Sequence, residues 1–201
     1  MHSLIVIAHP DAESYTHAVA KQVITGLQED PQNTVEIADL TAEGFDPRYT
    51  GADYRAFRDA TALPADIVAE QARIDRADLL ILIFPVYWWS MPAILKGWID
   101  RVFTNGWAFN AEGQETTRLL DRLLVQTVAI GGATQHTYDK RGYAEALRTQ
   151  IDEGIFDYVG ARRIGSDLLL PLHAGSAQAG LQRARTIGAN LICATQESAG
   201  A

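Results

Sequence analysis

Leu79-Leu80-Ile81-Leu82-Ile83-Phe84 is six consecutive apolar residues closed by Pro85. A run this short and uniformly apolar suits a strand covered on both faces, since a half-exposed strand would alternate with polar residues. Leu4 to Ala8 repeats the pattern, and Leu123 to Ile130, interrupted only by Gln126-Thr127, reads as a further strand before Gly131-Gly132. Val35 to Leu40 alternates well enough for another strand, and Arg162 to Leu170, with Pro171 at its end, makes a fifth. Between these runs the period becomes helical. Ser14 to Leu27 aligns Val19, Val23, Ile24 and Leu27; Asp66 to Ala77 carries Ile67, Val68, Ala72 and Ile74. Pro92 to Phe103 aligns Ile94, Leu95, Trp98, Ile99, Val102 and Phe103, and Lys96 and Asp100 form a solvated pair four residues apart. Tyr143 to Phe156 and Ser176 to Ala194 also read as helices. Thr41 to Leu63 reads as irregular, and a polar excursion follows Phe109 around Asn110-Ala111-Glu112-Gly113-Gln114.

Strands alternating with helices imply a parallel sheet wrapped on both faces, because parallel neighbours need crossover connections. Five strands predict an α/β three-layer sandwich with a five-stranded parallel sheet in the flavodoxin-like order, formed by residues 1–201 as one domain. In such sheets a ligand lies beyond the carboxyl ends of the strands, where the order reverses. That rule selects the segments after Ala8, after Phe84 and after Ile130.

A net charge of −8 disfavours a nucleic-acid partner, which requires a basic face. The apolar run after Met1-His2 is too short to span a bilayer and has no basic leader, so no stable membrane insertion and a cytoplasmic location are expected. The lone Cys193 has no partner for a disulfide, and its apolar neighbours predict a buried helix position. The five histidines are scattered and none pairs at zincin spacing, which predicts no metal site.

The first selected segment, His9-Pro10-Asp11-Ala12-Glu13-Ser14-Tyr15-Thr16, runs from strand to helix. A helix N-terminus offers unpaired N–H groups and the positive dipole end, which suit a phosphate; Ser14, Thr16 and His9 add donors. Equally, Ser14 reads as an ordinary helix cap and His9 as a satisfied loop histidine. The second, Phe84 to Pro92, places Tyr87, Trp88 and Trp89 between two prolines, and such a run suits either a flat ligand or a packed interface. The third opens with Gly131-Gly132, whose backbone can approach a flat ring closely, followed by the donors Thr134, Gln135, His136 and Tyr138. An ordinary turn would have the same glycines.

Taken jointly, these residues match one pattern. Phe84-Pro85-Val86-Tyr87-Trp88-Trp89-Ser90-Met91-Pro92-Ala93-Ile94-Leu95-Lys96-Gly97-Trp98-Ile99-Asp100-Arg101-Val102-Phe103 resembles the signature F-P-x-x-W-x-x-x-P-A-x-L-K-G-W-x-D/E-R-V-F of the NAD(P)H:quinone oxidoreductases of DT-diaphorase type. The likeness extends to Asp66-Ile67-Val68-Ala69-Glu70-Gln71, to His9 through Ala18 and to Gly131-Gly132, thinning beyond about Tyr158. The resemblance implies a dimeric flavoprotein, holding FAD or alternatively FMN, that passes two electrons from NAD(P)H to quinone-like acceptors. It implies that His9, Ser14, Tyr15, Thr16 and Ala18 meet the flavin's phosphate and ribityl chain. It gives Pro85, Val86, Tyr87, Trp88 and Trp89 to the isoalloxazine, and Gly131 and Gly132 to its pyrimidine edge. Tyr138, Tyr143 and His136 are the candidate catalytic donors, and Phe109 and Trp107 the candidate substrate contacts, offered across a homodimer interface.

Four departures stand out. Thr16 replaces a common asparagine, and the stretch from Gly132 to Tyr138 is one residue longer than in the vertebrate enzymes. Ala111 replaces an aromatic at the substrate mouth, and the long carboxyl extension of the larger members is absent. Three other redox readings stay open: a flavodoxin-like electron carrier, a flavin-bearing regulatory subunit of a cation efflux system, and an azo-dye or nitro reductase.

Overall fold

A computed structural model describes residues 1–111 and 116–199. Glu112, Gly113 and Gln114 of the polar excursion therefore lie outside the described residues. Five strands form the main sheet: β1 (His2–Ile7), β2 (Thr34–Asp39), β3 (Leu79–Pro85), β6 (Leu124–Ile130) and β7 (Arg162–Leu169). Their order is β2-β1-β3-β6-β7, and every adjacent pair is parallel. A two-stranded ribbon, β4 (Phe109–Asn110) with β5 (Thr117–Arg118), lies outside it. This is the flavodoxin-like order expected from the sequence. β3 and β6 are buried at every residue; in β6 that includes Gln126 and Thr127, which bond to Asp167 and Ser166 of β7.

Side chains alternate between two cores because successive strand residues face opposite sides. Ile5, Ile7, Ile81, Ile83 and Val128 pack beneath α1 (Tyr15–Leu27) and α7 (Ala174–Ala199). Leu4, Val6, Leu80, Leu82 and Phe84 pack on the other side with residues of α3 (Ala65–Arg76) and α4 (Ala93–Val102). α1 and α7 touch backbone to backbone at two glycines. A Cβ on Gly26 would fall 2.2 Å from the Arg185 carbonyl oxygen, and one on Gly188 2.1 Å from that of Val23.

The signature residues of α4 turn out to hold the fold together. A Cβ on Gly97 would meet the Pro47 carbonyl oxygen at 2.2 Å, so only glycine lets that loop lie against the helix. The buried Trp98 donates Nε1–H to Glu70 Oε2 at 2.8 Å. The buried Arg101 donates to Asp53 Oδ1 at 3.1 Å, Asp66 Oδ2 at 2.7 Å and the Asp46 carbonyl at 2.8 Å.

Several local expectations are corrected. The segment expected to be irregular, Thr41 to Leu63, contains α2 (Gly51–Asp59), started by a reciprocal capping box between Thr50 and Asp53. On α3, Val68 and Ala72 are exposed, while Glu70 and Gln71 are buried. Polar partners explain the exchange: Glu70 receives Trp98, and Gln71 Nε2 donates to the Val102 carbonyl and Thr104 Oγ1, both at 2.9 Å. After β6 the chain forms α5 (Gln135–Arg141), capped by Thr134 and stopped by Gly142 at φ 67°. The helix expected over Tyr143 to Phe156 is α6 (Tyr143–Leu147) continued by a π-helix, Arg148–Asp157. Cys193 is exposed rather than buried, because α7 turns Leu191 inward instead.

Candidate flavin site at the strand ends

The sheet order reverses beside β1 and β3, and the loops after β1, β3 and β6 gather at their carboxyl ends. Ala8 N–H donates to the Ile83 carbonyl at 3.2 Å and Val86 N–H to that of Ile130 at 2.8 Å, tying the three loop bases together.

After β1, Ser14 caps α1 in extended geometry, its Oγ accepting the His17 N–H. The N–H groups at the first positions, Tyr15 and Thr16, have no intrahelical acceptor, and the first turn contains no acid. This end can therefore receive an anion. Tyr15 spends its hydroxyl elsewhere, donating to the Ala177 carbonyl at 2.7 Å at the start of α7. Thr16 is buried, while His9 and Ala18 are half-buried. Asp11 and Glu13 are exposed, and Asp11 Oδ1 accepts the Glu13 N–H, turning that carboxylate onto its own loop.

After β3, the backbones of Tyr87 and Ser90 exchange two hydrogen bonds of 3.0 Å. The two residues between them, Trp88 and Trp89, both have positive φ, 50° and 62°. Two-residue hairpin turns of this kind favour asparagine and glycine, so tryptophan at both positions is strained. Trp89 turns inward and stacks on Tyr143, with centroids 3.7 Å apart and planes 14° apart. Its face also meets Tyr138 edge-on at 5.5 Å. Trp88 remains 93% exposed and Tyr87 exposed, so the aromatic run is divided between cleft and surface.

After β6, Gly131 is buried and its N–H donates to the Leu169 carbonyl at 2.8 Å. A Cβ there would lie 2.4 Å from Tyr138 Oη, so the phenol rests directly on the glycine backbone. Gly132 is exposed with open space above it. Val86, Trp88, Trp89, Gly132, Ala133 and Tyr138 line one cleft. Burial pushes the Tyr138 hydroxyl's pKa up, which keeps it a neutral O–H donor at the cleft wall.

The other expected site residues lie apart from this cleft. His136 is exposed on α5. Trp107 donates Nε1–H to Asp75 Oδ1 at 3.2 Å, and Phe109 packs edge-on against Tyr158 at 5.3 Å. Phe109 lines a separate pocket with Tyr49, Phe57, Leu63, Phe103 and others. His17, not among the expected site residues, is buried between Ser14 and Asp39. The available signal was a histidine three residues after a helix cap.

Comparison with known proteins places the chain among proteins of flavodoxin-like fold, with the match covering residues 1–189. A Haemophilus influenzae protein described as an uncharacterized NAD(P)H oxidoreductase is 31% identical over 174 residues, 86% of this chain and 85% of that one. The ribosyldihydronicotinamide dehydrogenase (quinone) of Rattus norvegicus is 36% identical over 157 residues, 69% of this chain and 67% of that one. Among solved structures, the NAD(P)H:quinone oxidoreductase from Methanothermobacter marburgensis superposes with a TM-score of 0.87 at 32% identity. That superposition covers 95% of this chain and 98% of that one.

Proposed function

The chain belongs to the flavodoxin-like fold family, and from that premise we propose that it is an NAD(P)H:quinone oxidoreductase working through a bound flavin. The observation that carries the reading is the convergence of three unlike loops on one place. An anion-receptive helix start, a flat aromatic turn and a glycine-backed tyrosine together fit the phosphate, ring face and polar edge of a flavin. FAD is the proposed cofactor, with FMN the alternative, and residues 1–201 act as one flavin-binding domain in the cytoplasm. When bound, the flavin supplies two-electron chemistry, taking hydride from NAD(P)H and giving it to a quinone-like acceptor.

The protein's residues supply placement and electrostatics. The N–H groups of Tyr15 and Thr16, with Ser14 and His9, hold the phosphate end; Ala18 lies a turn further into the helix. Pro85, Val86, Tyr87, Trp88 and Trp89 form the ring-lining segment, where a flat surface keeps reacting atoms at roughly 3–3.5 Å. The Gly132 N–H and the neutral Tyr138 hydroxyl would serve the ring edge on which charge develops, with Gly131, its own N–H given to the Leu169 carbonyl, backing the phenol. Tyr143 holds Trp89 in place through its stack. His136, exposed on α5, is a less direct donor in this reading. Purified protein should release flavin on denaturation, and the flavin-free chain should take up about one FAD or FMN. A chain that takes up neither would overturn the reading.

The active unit in this reading is a homodimer. Trp88 projects almost fully into solvent, and Tyr49 and Phe57, exposed on and beside α2, rim the pocket that contains Phe109. A second copy covering these aromatics would bring its Phe109 and Trp107 toward the cleft as substrate contacts. Sedimentation should give twice the chain mass of 22.0 kDa. An active, flavin-loaded species at the single-chain mass would refute the dimer.

A further inference from the structure

At the start of α1, Ser14, His17 and Asp39 form a relay of which the proposed reaction so far uses only Ser14. The His17 ring is 10% exposed and bridges the end of β2 and the cap of α1. Its Nε2 lies 2.8 Å from Oδ2 of Asp39, the last residue of β2, and its Nδ1 lies 2.8 Å from Ser14 Oγ. Asp39 is fixed in turn, since its Oδ1 accepts the Ala42 N–H at 3.2 Å.

The hydrogen positions follow from what each group can do. An ionised carboxylate only accepts, so the ring nitrogen facing Asp39 carries a hydrogen. With that single proton, Nδ1 is bare and takes the hydroxyl hydrogen of Ser14. The hydroxyl is then turned inward and offers nothing to an anion at the helix start. With a second proton, Nδ1–H donates to Ser14 Oγ, which already accepts the His17 backbone N–H at 3.3 Å. The hydroxyl hydrogen is then free to point outward.

We propose that His17 is a positioning residue of the cofactor's phosphate site, and that a second proton on its ring and the phosphate bind together. The inference rests on the flavin reading above. It adds a coupling between proton and cofactor binding, carried by a side chain that need not touch the cofactor. The groups facing the ring are Asp39 from β2 and Ser14 and His9 from the loop, the His9 ring meeting it edge-on at 6.3 Å. Asp11 and Glu13 lie exposed on that loop, and His9 Nδ1 is engaged by the Asp11 N–H at 3.1 Å. The Tyr15 hydroxyl points away to α7.

The test titrates the flavin-free full chain with FAD at about pH 6 and about pH 8, the range in which imidazole charge matters. FAD carries no phosphate monoester, and riboflavin serves as the phosphate-free probe. Wild-type protein should bind FAD about tenfold more tightly at the lower pH, the size of one hydrogen bond to a charged group. Riboflavin should show no such step. His17→Gln should abolish the step for FAD and leave riboflavin binding alone, whereas His9→Gln should weaken FAD binding but keep the step. Asp39→Asn should diminish it. Nitrogen NMR of the wild-type His17 ring should show the doubly protonated form on addition of FAD, a readout that decides the matter should His17→Gln fail to fold. A step that persists in His17→Gln, a step shared by riboflavin, or a ring spectrum unmoved by FAD would overturn the inference. Wild-type protein that binds neither flavin would instead overturn the flavin reading on which it stands.

Discussion

Arg101→Leu should destabilise the fold by about 3–5 kcal/mol, the usual consequence of leaving a buried carboxylate without its cation. Arg101 and Asp53 are each 4% exposed at their side chains, so water cannot replace the lost partner. The same substitution removes the donors to Asp66 and to the Asp46 carbonyl, which hold the segment from Asp46 to Asp66 against α4. Urea unfolding is the appropriate measurement, with Asp53→Leu added to the variant as the second arm. The double variant should recover part of the loss, because no buried charge is left orphaned, Asp66 being half exposed to water. A single-variant loss below about 1 kcal/mol would show that the pair is solvated in solution.

The pH dependence of this pair has a definite sign. Burial alone would push Asp53 up, but hydrogen bonds from the Thr50 hydroxyl and N–H, followed by Arg101, outweigh it and hold the carboxyl below its ordinary value. A depressed carboxyl contributes stability above its unfolded-state value and loses it as pH falls through the folded-state value. The gap between wild-type and Asp53→Asn stability should therefore be full at neutral pH and close in acid.

Tyr138→Phe should slow reduction of bound flavin by NAD(P)H roughly ten- to a hundredfold while leaving flavin content unchanged. A single donor to a developing anion is worth about 2.7–4 kcal/mol in closed sites, and a cleft open at Gly132 lies below that range. At about 1.4 kcal/mol per factor of ten, the expected slowing follows. Phenylalanine retains the edge contact to Trp89, so retention of the cofactor should not change. Anaerobic stopped-flow absorbance separates the two effects. Reduction at the wild-type rate would assign the role to Tyr143, His136 or the backbone N–H of Gly132, that of Gly131 being taken by Leu169. The same measurement on Tyr143→Phe and His136→Ala would then distinguish them.

The sheet was legible in the sequence because its central strands are buried on both faces and so leave runs that are apolar throughout in β1 and β3 and broken only by Gln126-Thr127 in β6. The strand ends were legible for the same reason, since Pro85 and Gly131 stop those runs abruptly. α2 was not, because few of its residues enter a core and the helix is held by one buried ion pair to a residue about fifty positions later. Its only local trace is the Thr50–Asp53 capping box. Glu70 and Gln71 looked like a solvated face of α3 until Trp98 and the end of α4 supplied their partners. At the site, the residue types were readable but the division of labour was not. Nothing in Tyr87-Trp88-Trp89 says that one tryptophan turns inward onto Tyr143 and the other into solvent; that follows from two consecutive positive φ angles. Likewise the role of His17 depends on Asp39, which only the pairing of β1 with β2 brings near.

In the function proposed above, this chain carries reducing equivalents from NAD(P)H to a quinone through a flavin held at the three strand-end loops. Anaerobic mixing of the flavin-loaded protein with NADH or NADPH tests it most directly. The visible flavin absorbance should bleach rapidly with at least one of the two nucleotides, and a benzoquinone added next should restore it in a single two-electron step. Flavin that stays bound and oxidised in the presence of both nucleotides would contradict the claim and favour an electron carrier or a regulatory subunit.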